Sequence, residues 1–370
     1  MPYGTAEGPL DQINVNTHRH IRKNPALLDG IFQNDPFMAI LKANCVAPFN
    51  GGRAIAENLT FDTLLGGGYN AGEEFDLSEQ KTDDQIQFFP KFLEANATMT
   101  MEEIEVINTG ENAVYRTVNS RLKNGYNSIG SWLAISLYLK NATTGYDRLI
   151  TGLAEALGYN AGGATTSWDG TSYTSYGGLT RSAYNGALTS NIFDSAGAQI
   201  EYDDLENALS EASWGAGEFE PNYGVTTVKG LAKIKQRFVI HQRLRVDDDH
   251  IGFKDGFGVG NATILASRYC PGQDVATAGT KANRVATKFL KATTRGAVTA
   301  YPSVSGETLF FINARKPHIT LYISTSKRYS FGFTGFKVTA GNTKVSGQIL
   351  WSGQLVVGNP SFHSQIKNFA

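Results

Sequence analysis

The sequence predicts a mixed α+β protein, and three observations support this prediction. The chain has 370 residues, of which 41% are hydrophobic and only 18% are charged, so it has enough apolar material for a large folded core. Its 40 Gly, 16 Tyr and 21 Phe favour β structure with many turns. One stretch in the first half of the chain instead repeats its apolar residues at helical spacing over many turns.

The first fifty residues are polar and irregular, and we expect them to form an arm that cannot bury itself. A short helix is predicted behind Asp35, because Pro36 suits the first turn of a helix. The arm also contains a small basic cluster, made of His18, Arg19, His20, Arg22 and Lys23.

Residues 50–108 are predicted to form turns and strands. Segments 85–88 and 95–101 alternate apolar and polar residues, which is the period of a strand with one covered face. We predict that the two pair as a long hairpin interrupted at Pro90. An isolated hairpin is marginal in water, so this one needs a partner surface. The stretch 73–84 is mostly acidic.

The longest predicted helix follows, beginning at the N-cap signal of Asn108 and Thr109. Gly125 and Gly130 inside it indicate a bend or a close crossing. Its apolar stripe consists of Val114, Val118, Leu122, Ile129, Leu133 and Leu137.

Further elements are predicted in the second half of the chain. Two more amphipathic helices are expected at residues 203–214 and 226–238. The last sixty residues alternate as strands, with a turn predicted at Gly353.

No standard catalytic or cofactor signature occurs in the sequence, so we expect no enzyme, cofactor or metal site. Segment 256–261 approaches a dinucleotide loop, but Asn261 replaces the third glycine and a β-turn is favoured. Segment 247–252 approaches a calcium loop without its final glutamate. A solvated acidic turn is the first interpretation there, a salt-bridged contact the second and a metal site the third. His18 and His20 are expected to be solvated.

The charge balance and the cysteine content argue against two other classes, nucleic-acid readers and disulfide-rich proteins. Lys plus Arg number 33 and Asp plus Glu number 34, and this balance argues against a dedicated nucleic-acid reader. Cys45 and Cys270 are too few for a disulfide framework, so two reduced, partly buried thiols are expected. Neither a signal peptide nor a stretch long enough to cross a membrane is expected.

The order of the parts is the most informative feature: an arm, a protruding hairpin, one very long helix, a mixed body and a β-rich end. In this order the chain resembles the major capsid proteins of tailed double-stranded DNA bacteriophages, which have the HK97-like fold. The local motifs that carry the resemblance are Gly66-Gly67-Gly68-Tyr69, Asn108-Thr109-Gly110-Glu111-Asn112, Tyr176-Gly177-Gly178-Leu179-Thr180-Arg181, Ile251-Gly252-Phe253, Arg268-Tyr269-Cys270-Pro271-Gly272, residues 347–355 and Asn359-Pro360.

The resemblance implies a division of the chain into five parts. Residues 1–49 would be the N-arm and residues 50–107 the E-loop. Residues 108–144 would hold the spine helix of the peripheral domain, residues 145–315 the axial domain, and residues 316–370 the strands that return to the peripheral domain.

The function implied is a capsid protein that assembles as hexamers and pentamers into an icosahedral shell around double-stranded DNA, with which its contact would be weak and non-specific. Such a protein would be made in the host cytoplasm and would end in the virion capsid. A separate scaffolding protein, a portal and decoration proteins are the expected partners, with no membrane contact. Candidate intersubunit residues are Arg19, Arg22, Lys23, Arg53, Lys81 and Lys91.

Other interpretations stay open at this point. An encapsulin-like nanocompartment shares the fold, and a β-rich phage fibre or carbohydrate-binding protein would fit the Gly, Tyr and Trp content. A hydrolase with a cryptic site is a further alternative. Some relatives of the capsid family cross-link subunits through an E-loop lysine; Lys81 and Lys91 lie in that region, but no matching catalytic glutamate is evident, so we expect no cross-link.

Overall fold

The computed structural model describes residues 35–62, 78–103, 111–139, 149–160, 166–184, 186–213, 219–238, 256–278, 304–338 and 343–370, together with isolated positions outside these ranges. Its α-helices are α1 (Pro36–Ile40), α2 (Glu111–Ser136), α3 (Leu153–Ala156), α4 (Tyr202–Glu211), α5 (Val228–Phe238) and α6 (Gln273–Ala276). A π-helical turn at Leu41–Cys45 extends α1, and 3₁₀ turns occur at Arg181–Ala183 and Pro360–Phe362.

Sixteen strands are described, which confirms the mixed α+β class. They are β1 (Val46–Phe49), β2 (Ile55–Thr60), β3 (Asp83–Phe88), β4 (Lys91–Thr100), β5 (Ser175–Tyr176), β6 (Leu179–Thr180), β7 (Asn191–Asp194), β8 (Tyr223–Thr227), β9 (Phe257–Val259), β10 (Ala262–Ser267), β11 (Glu307–Ile312), β12 (Ile319–Ser324), β13 (Ser330–Phe333), β14 (Lys337–Val338), β15 (Lys344–Val357) and β16 (Ser364–Phe369).

The first large sheet is organised around β15, its longest strand. One edge of β15 pairs antiparallel with β4 along the whole length of β4. The opposite edge pairs with β12, β13 and β14 in succession, and β1 adds in parallel to the outer edge of β12. The sheet therefore joins segments from near the two ends of the chain.

Helix α2 confirms the longest predicted helix, with its ends at Glu111 and Ser136. Its described apolar stripe is buried, including Val118, Leu122 and Ile129. A Cβ at Gly125 would lie 2.8 Å from the Ile349 side chain of β15. Gly125 thus allows the predicted close crossing, because the helix lies directly on the sheet at that point.

The second large sheet has the strand order β7–β16–β11–β8–β10–β9. Helices α4 and α5 confirm the two shorter predicted helices, and Leu205, Leu231 and Ile234 are buried on them as expected. These side chains share a second hydrophobic cluster with Phe311 and Phe369 of the sheet. The body of the protein therefore has its own core beside the core under α2.

The predicted pairing of segments 85–88 and 95–101 is wrong, although both are strands. β3 pairs with β2, and β4 pairs with β15. Pro90 separates the two strands; it has no N–H for a ladder and restricts the residue before it. The true partner of β4 lies some 250 residues away in sequence, which no local pattern indicates.

The predicted turn at Gly353 is also wrong, because β15 runs straight through it. Gly353 pairs with Lys91 on one edge and with Ile323 on the other. A Cβ at this position would overlap the Tyr322 carbonyl oxygen and approach the Trp351 ring to 2.6 Å. The glycine is needed for close packing and not for a reversal of the chain.

The expectation that the first fifty residues cannot bury themselves is wrong for the end of that segment. Phe37, Met38, Ile40 and Leu41 are all at most 1% exposed and belong to the main hydrophobic cluster. Pro36 does begin a short helix, as predicted. Phe37 contacts the Tyr138 ring at a centroid distance of 5.7 Å, and this part of the chain continues into β1.

Candidate functional site

The β2–β3 hairpin is a two-stranded ladder that lies against the body of the same chain. Ile86 and Phe88 are buried, and the Phe88 ring contacts the Tyr176 ring at a centroid distance of 4.9 Å. The Gln87 backbone N–H donates to the Gly177 carbonyl oxygen at 2.9 Å. Gly177 has φ +55°, and a Cβ there would lie 2.8 Å from Ile86, so a glycine permits both the turn and the contact.

Two tyrosines hold carboxylates of the hairpin. The Tyr184 hydroxyl donates to Asp84 at 2.8 Å, and Lys81 forms an ion pair with the same carboxylate at 2.6 Å. These bonds, led by the one from Lys81, lower the pKa of Asp84 from 3.8 to about 2. The Tyr322 hydroxyl of β12 donates to Glu57 of β2. The hairpin is therefore tied to the body through both of its strands, at Glu57 of β2 and at Asp84 near the loop end of β3.

Two grooves border this hairpin. One of about 980 Å³ lies along β3 and the 177–179 turn. The other, of about 1050 Å³, lies along β2 and contains the rings of Phe219, His318 and Phe362. The Phe219 and Phe362 centroids are 5.3 Å apart, and Phe219 is 45% exposed. Both grooves are open; the first is lined mainly by polar side chains, with Phe89 and Leu179 as its large apolar members, and the second has the aromatic rings.

A buried arginine supports the turn on which the hairpin packs. The Arg181 guanidinium is fully buried and donates to the backbone carbonyls of Ala156, Leu188 and Glu155. Its Cζ lies 4.8 Å from the centroid of the Tyr176 ring. Burial lowers the pKa of Arg181 to about 10, which leaves it charged at neutral pH. Arg181 belongs to a motif that carries the resemblance, but nothing in the local sequence marks it as buried.

Cationic and aromatic side chains meet at one end of the first sheet. Pro48, Ile323, Gly353 and Lys91 are neighbours in adjacent strands there. Backbone hydrogen bonds hold both ends of the 325–329 turn. The Thr325 N–H donates to the Phe49 carbonyl oxygen at 3.1 Å, and the Ser352 N–H donates to the Tyr329 carbonyl oxygen at 2.8 Å. We name the surface at this end the basic–aromatic patch; it consists of Arg53, Lys91, Phe92, Lys327, Arg328 and Tyr329.

The patch is open to solvent. Phe92 is 62% exposed, and its ring contacts the Tyr329 ring at 5.7 Å. Arg53, Lys327 and Arg328 are exposed, and no carboxylate of the described residues forms an ion pair with them. The surface thus combines positive charge with uncovered aromatic area.

The six residues predicted as intersubunit contacts lie in different places. Lys91 begins β4 at the end of the first sheet, Arg53 lies in the connection from β1 to β2, and Lys81 is paired with Asp84 on the hairpin. Arg19 is exposed. Arg22 and Lys23 lie outside the described residues. Lys327, Arg328 and Phe92 were missed by the sequence analysis, and the Ser-Lys-Arg sequence at a turn is the signal that could have indicated them.

The structure also bears on the weaker motifs. Segment 256–261 contains β9 and the two-residue turn, Gly260 and Asn261, that joins it to the antiparallel β10; Gly260 has φ +54°, which confirms the predicted β-turn. Segment 247–252, His18 and His20 lie outside the described residues.

Cys45 and Cys270 are free and buried. Among the described residues, no cluster of three metal-ligating side chains occurs and no helix is long and apolar enough to cross a membrane.

Comparison with known proteins identifies the fold. No protein-family model matches the chain, and no curated protein matches it by sequence. Among solved structures, it is similar to the cyanophage A-1(L) capsid, with 11% identity over 90% of this chain and 92% of that chain and a TM-score of 0.59. The capsid of a native GTA particle has 9% identity over 90% of each chain and a TM-score of 0.54.

An encapsulin complex from Synechococcus elongatus is similar too, with 8% identity over 89% of this chain and 86% of that chain and a TM-score of 0.54. These capsid and encapsulin chains share one architecture. The chain therefore has the HK97-like fold, which confirms the fold that the resemblance implied.

Proposed function

We propose that the protein is the major capsid protein of a tailed phage, which assembles as hexamers and pentamers into an icosahedral shell around double-stranded DNA. The observation that carries the proposal is a likeness of fold to phage and GTA capsids over about nine-tenths of both chains. A partial or local likeness would support only a shared subdomain. A likeness of this extent supports the whole architecture of a shell subunit.

In this proposal the named parts of the capsid fold are assigned as the resemblance implied. Residues 1–49 are the N-arm, residues 50–107 the E-loop, and α2 the spine helix of a peripheral domain formed by residues 108–144 and completed by residues 316–370. The axial domain, residues 145–315, lies at the centre of each hexamer or pentamer.

Exposed apolar side chains support a role in assembly. Leu64, Phe89 and Phe92 are 77%, 57% and 62% exposed, and all three lie in the E-loop segment. Phe89 and Phe92 flank Pro90 between β3 and β4, and exposed apolar side chains of this size favour a surface that is covered by a partner. Contacts distributed over several neighbours make a closed shell stable from modest pair energies.

The remaining partners follow from this function. A separate scaffolding protein, a portal and decoration proteins complete the particle, which forms in the host cytoplasm and becomes the virion capsid. Contact with packaged DNA is weak and non-specific, in keeping with the net charge of −1. The role is structural, and it requires no catalytic group.

A second candidate is an encapsulin-like nanocompartment, because the encapsulin neighbour is matched over 89% of this chain. The two functions predict the same shell and differ in its contents. Purified particles containing double-stranded DNA support the capsid, and particles containing a protein cargo support the nanocompartment.

Negative-stain electron microscopy and sedimentation of the purified chain test the proposal, with a scaffolding partner supplied if the chain alone yields capsomers. Closed regular particles are the expected result. A variant in which a short Gly-Ser linker replaces residues 62–80 keeps the β2–β3 ladder and should remain folded but form no closed shells. A single small oligomer under all conditions contradicts the shell function and favours a fibre or binding protein.

A further inference from the structure

The dipeptide Asn-Gly occurs three times in the chain, beginning at Asn50, Asn124 and Asn185. In this dipeptide no side chain shields the glycine nitrogen, so this nitrogen can attack the amide carbon of the asparagine wherever the fold lets the two atoms meet. We propose that Asn50 is a site of spontaneous modification, at which the folded chain converts the asparagine into aspartate and isoaspartate. The inference goes beyond the proposed function, because the reaction needs only the folded chain and water.

Asn50 lies in an open connection between β1 and β2. It is exposed and directly follows Phe49, the last residue of β1. Gly51 and Gly52 have φ angles of +114° and +122°, in the region that residues with a side chain rarely adopt. Nothing lies within 4 Å of a Cβ added at Gly51. The connection therefore leaves room beside Gly51 for a ring to form.

No hydrogen bond to the described residues fixes either reacting group. Neither the Asn50 side chain nor the Gly51 backbone N–H forms one within the described part of the chain. An asparagine in a turn commonly bonds through its side chain to the backbone two residues further on, and Asn50 does not do so here. Its amide can therefore rotate towards the Gly51 nitrogen without breaking a contact.

The chemistry uses only the atoms of this connection and water. The Gly51 nitrogen loses its proton to solvent and bonds to Cγ of Asn50, while the bond from Cγ to Nδ2 breaks and the side-chain nitrogen takes up a proton and leaves as ammonia. A succinimide ring remains, and water adds to either of its carbonyl carbons. Ring opening gives aspartate on one side and isoaspartate on the other. Because the attacking nitrogen must first lose its proton, the rate rises with pH.

The same dipeptide at Asn124 provides a matched comparison in the same chain. Asn124 is exposed too, but it lies within α2, and a Cβ at Gly125 would be 2.8 Å from the Ile349 side chain. Inside an α-helix the N–H of Gly125 donates to the carbonyl four residues earlier, so its nitrogen is not available for attack. Reaction there requires local opening of a packed helix, which is rare. Asn185 lies outside the described residues.

The modification changes both the charge and the course of the chain. A carboxylate replaces a neutral amide close in sequence to Arg53, which is exposed. In isoaspartate the main chain runs through the side-chain carbon, so the connection from β1 of the first sheet to β2 of the hairpin becomes longer. The product therefore differs from the original chain at the joint between these two parts.

Peptide mass spectrometry of the full chain tests the proposal after incubation at pH 6 and pH 8. It detects the replacement of NH₂ by OH, and chromatography separates the two isomeric products. In the folded protein, conversion at Asn50 should be at least about tenfold faster than at Asn124, because only Asn124 must wait for local opening. Conversion at Asn50 should also be faster at pH 8 than at pH 6. In guanidinium chloride the two sites should convert at similar rates, since glycine follows each of them.

The control variant is Asn50→Gln, whose longer side chain forms the corresponding larger ring slowly. It should lose the products at position 50 and leave conversion at Asn124 unchanged. Equal conversion at Asn50 and Asn124 in the folded protein overturns the proposal. Conversion at Asn50 that is much slower in the folded protein than in guanidinium chloride overturns it too, because the fold would then hold the reacting groups apart. Neither result bears on the shell function, which electron microscopy of the particles tests separately.

Discussion

The Asp35 carboxyl accepts a hydrogen bond from the Ser267 hydroxyl, although the two residues are 232 positions apart in the chain. Asp35 is fully buried at the start of α1, and Ser267 ends β10 of the second sheet. Burial raises the pKa of Asp35 from 3.8 to about 6, against the smaller opposing effect of the Ser267 bond. This bond joins the start of α1 to the second large sheet.

A specific pH dependence of stability follows from this burial. The contribution of Asp35 to stability is full below pH 3.8 and is lost as the pH rises through about 6, because the folded protein holds the proton more tightly than the unfolded chain. A shift of this size corresponds to roughly 3 kcal/mol at most. Urea unfolding of the unassembled chain from pH 4 to 8 should show this loss in the wild type and not in Asp35→Asn. Parallel pH profiles for the two proteins contradict the assignment.

Replacement of the buried Arg181 should destabilise the fold strongly. Arg181→Ala leaves the carbonyls of Ala156, Leu188 and Glu155 without their donor in the protein interior, and we expect a loss of at least about 3 kcal/mol in the free energy of unfolding. Arg268→Ala is the control, because Arg268 is exposed, and should change stability by less than about 0.5 kcal/mol. Equal effects from the two variants contradict the supporting role of Arg181.

Replacement by alanine should destabilise the protein at Gly353, which is tightly packed, but not at Gly258, which has open space around it. In Gly353→Ala the new methyl overlaps the Tyr322 carbonyl oxygen and the Trp351 ring, so we expect about 1–3 kcal/mol of destabilisation. Gly258→Ala is the control, since nothing lies within 4 Å of its added Cβ. Thermal unfolding measures both. A Gly353→Ala protein as stable as the control would show that β15 relaxes easily at this point.

The two thiols should be unreactive in the folded protein. Cys45 and Cys270 are 0% exposed, and burial raises the pKa of Cys45 to about 12 and that of Cys270 well above its ordinary value. Because the thiolate is the reactive form, a disulfide reagent should label neither cysteine in native buffer and both in urea. Rapid labelling of one thiol in native buffer would indicate local opening of α1 or of the 270–272 segment.

Much of the local structure was predictable from the sequence by itself. The α+β class, the long helix α2 with its buried stripe, helices α4 and α5, and the alternation along β4 all follow from periodicity, since a helix or strand buries one face whatever lies against it. The two cysteines were expected to be partly buried, as this residue type usually is, and they are fully buried. The overall fold was indicated by the order of these elements and is confirmed by the solved structures of similar fold.

Only the tertiary structure decided which elements meet. The pairing of β4 with β15, the straight course of β15 through Gly353 and the burial of residues 36–41 each depend on contacts between distant parts of the chain. The same holds for the basic–aromatic patch, where Arg53, Lys91 and Arg328 come from three separate segments. Periodicity shows that a face is covered, but the identity of the covering partner depends on packing of the whole chain, so the patch became visible only in the folded protein.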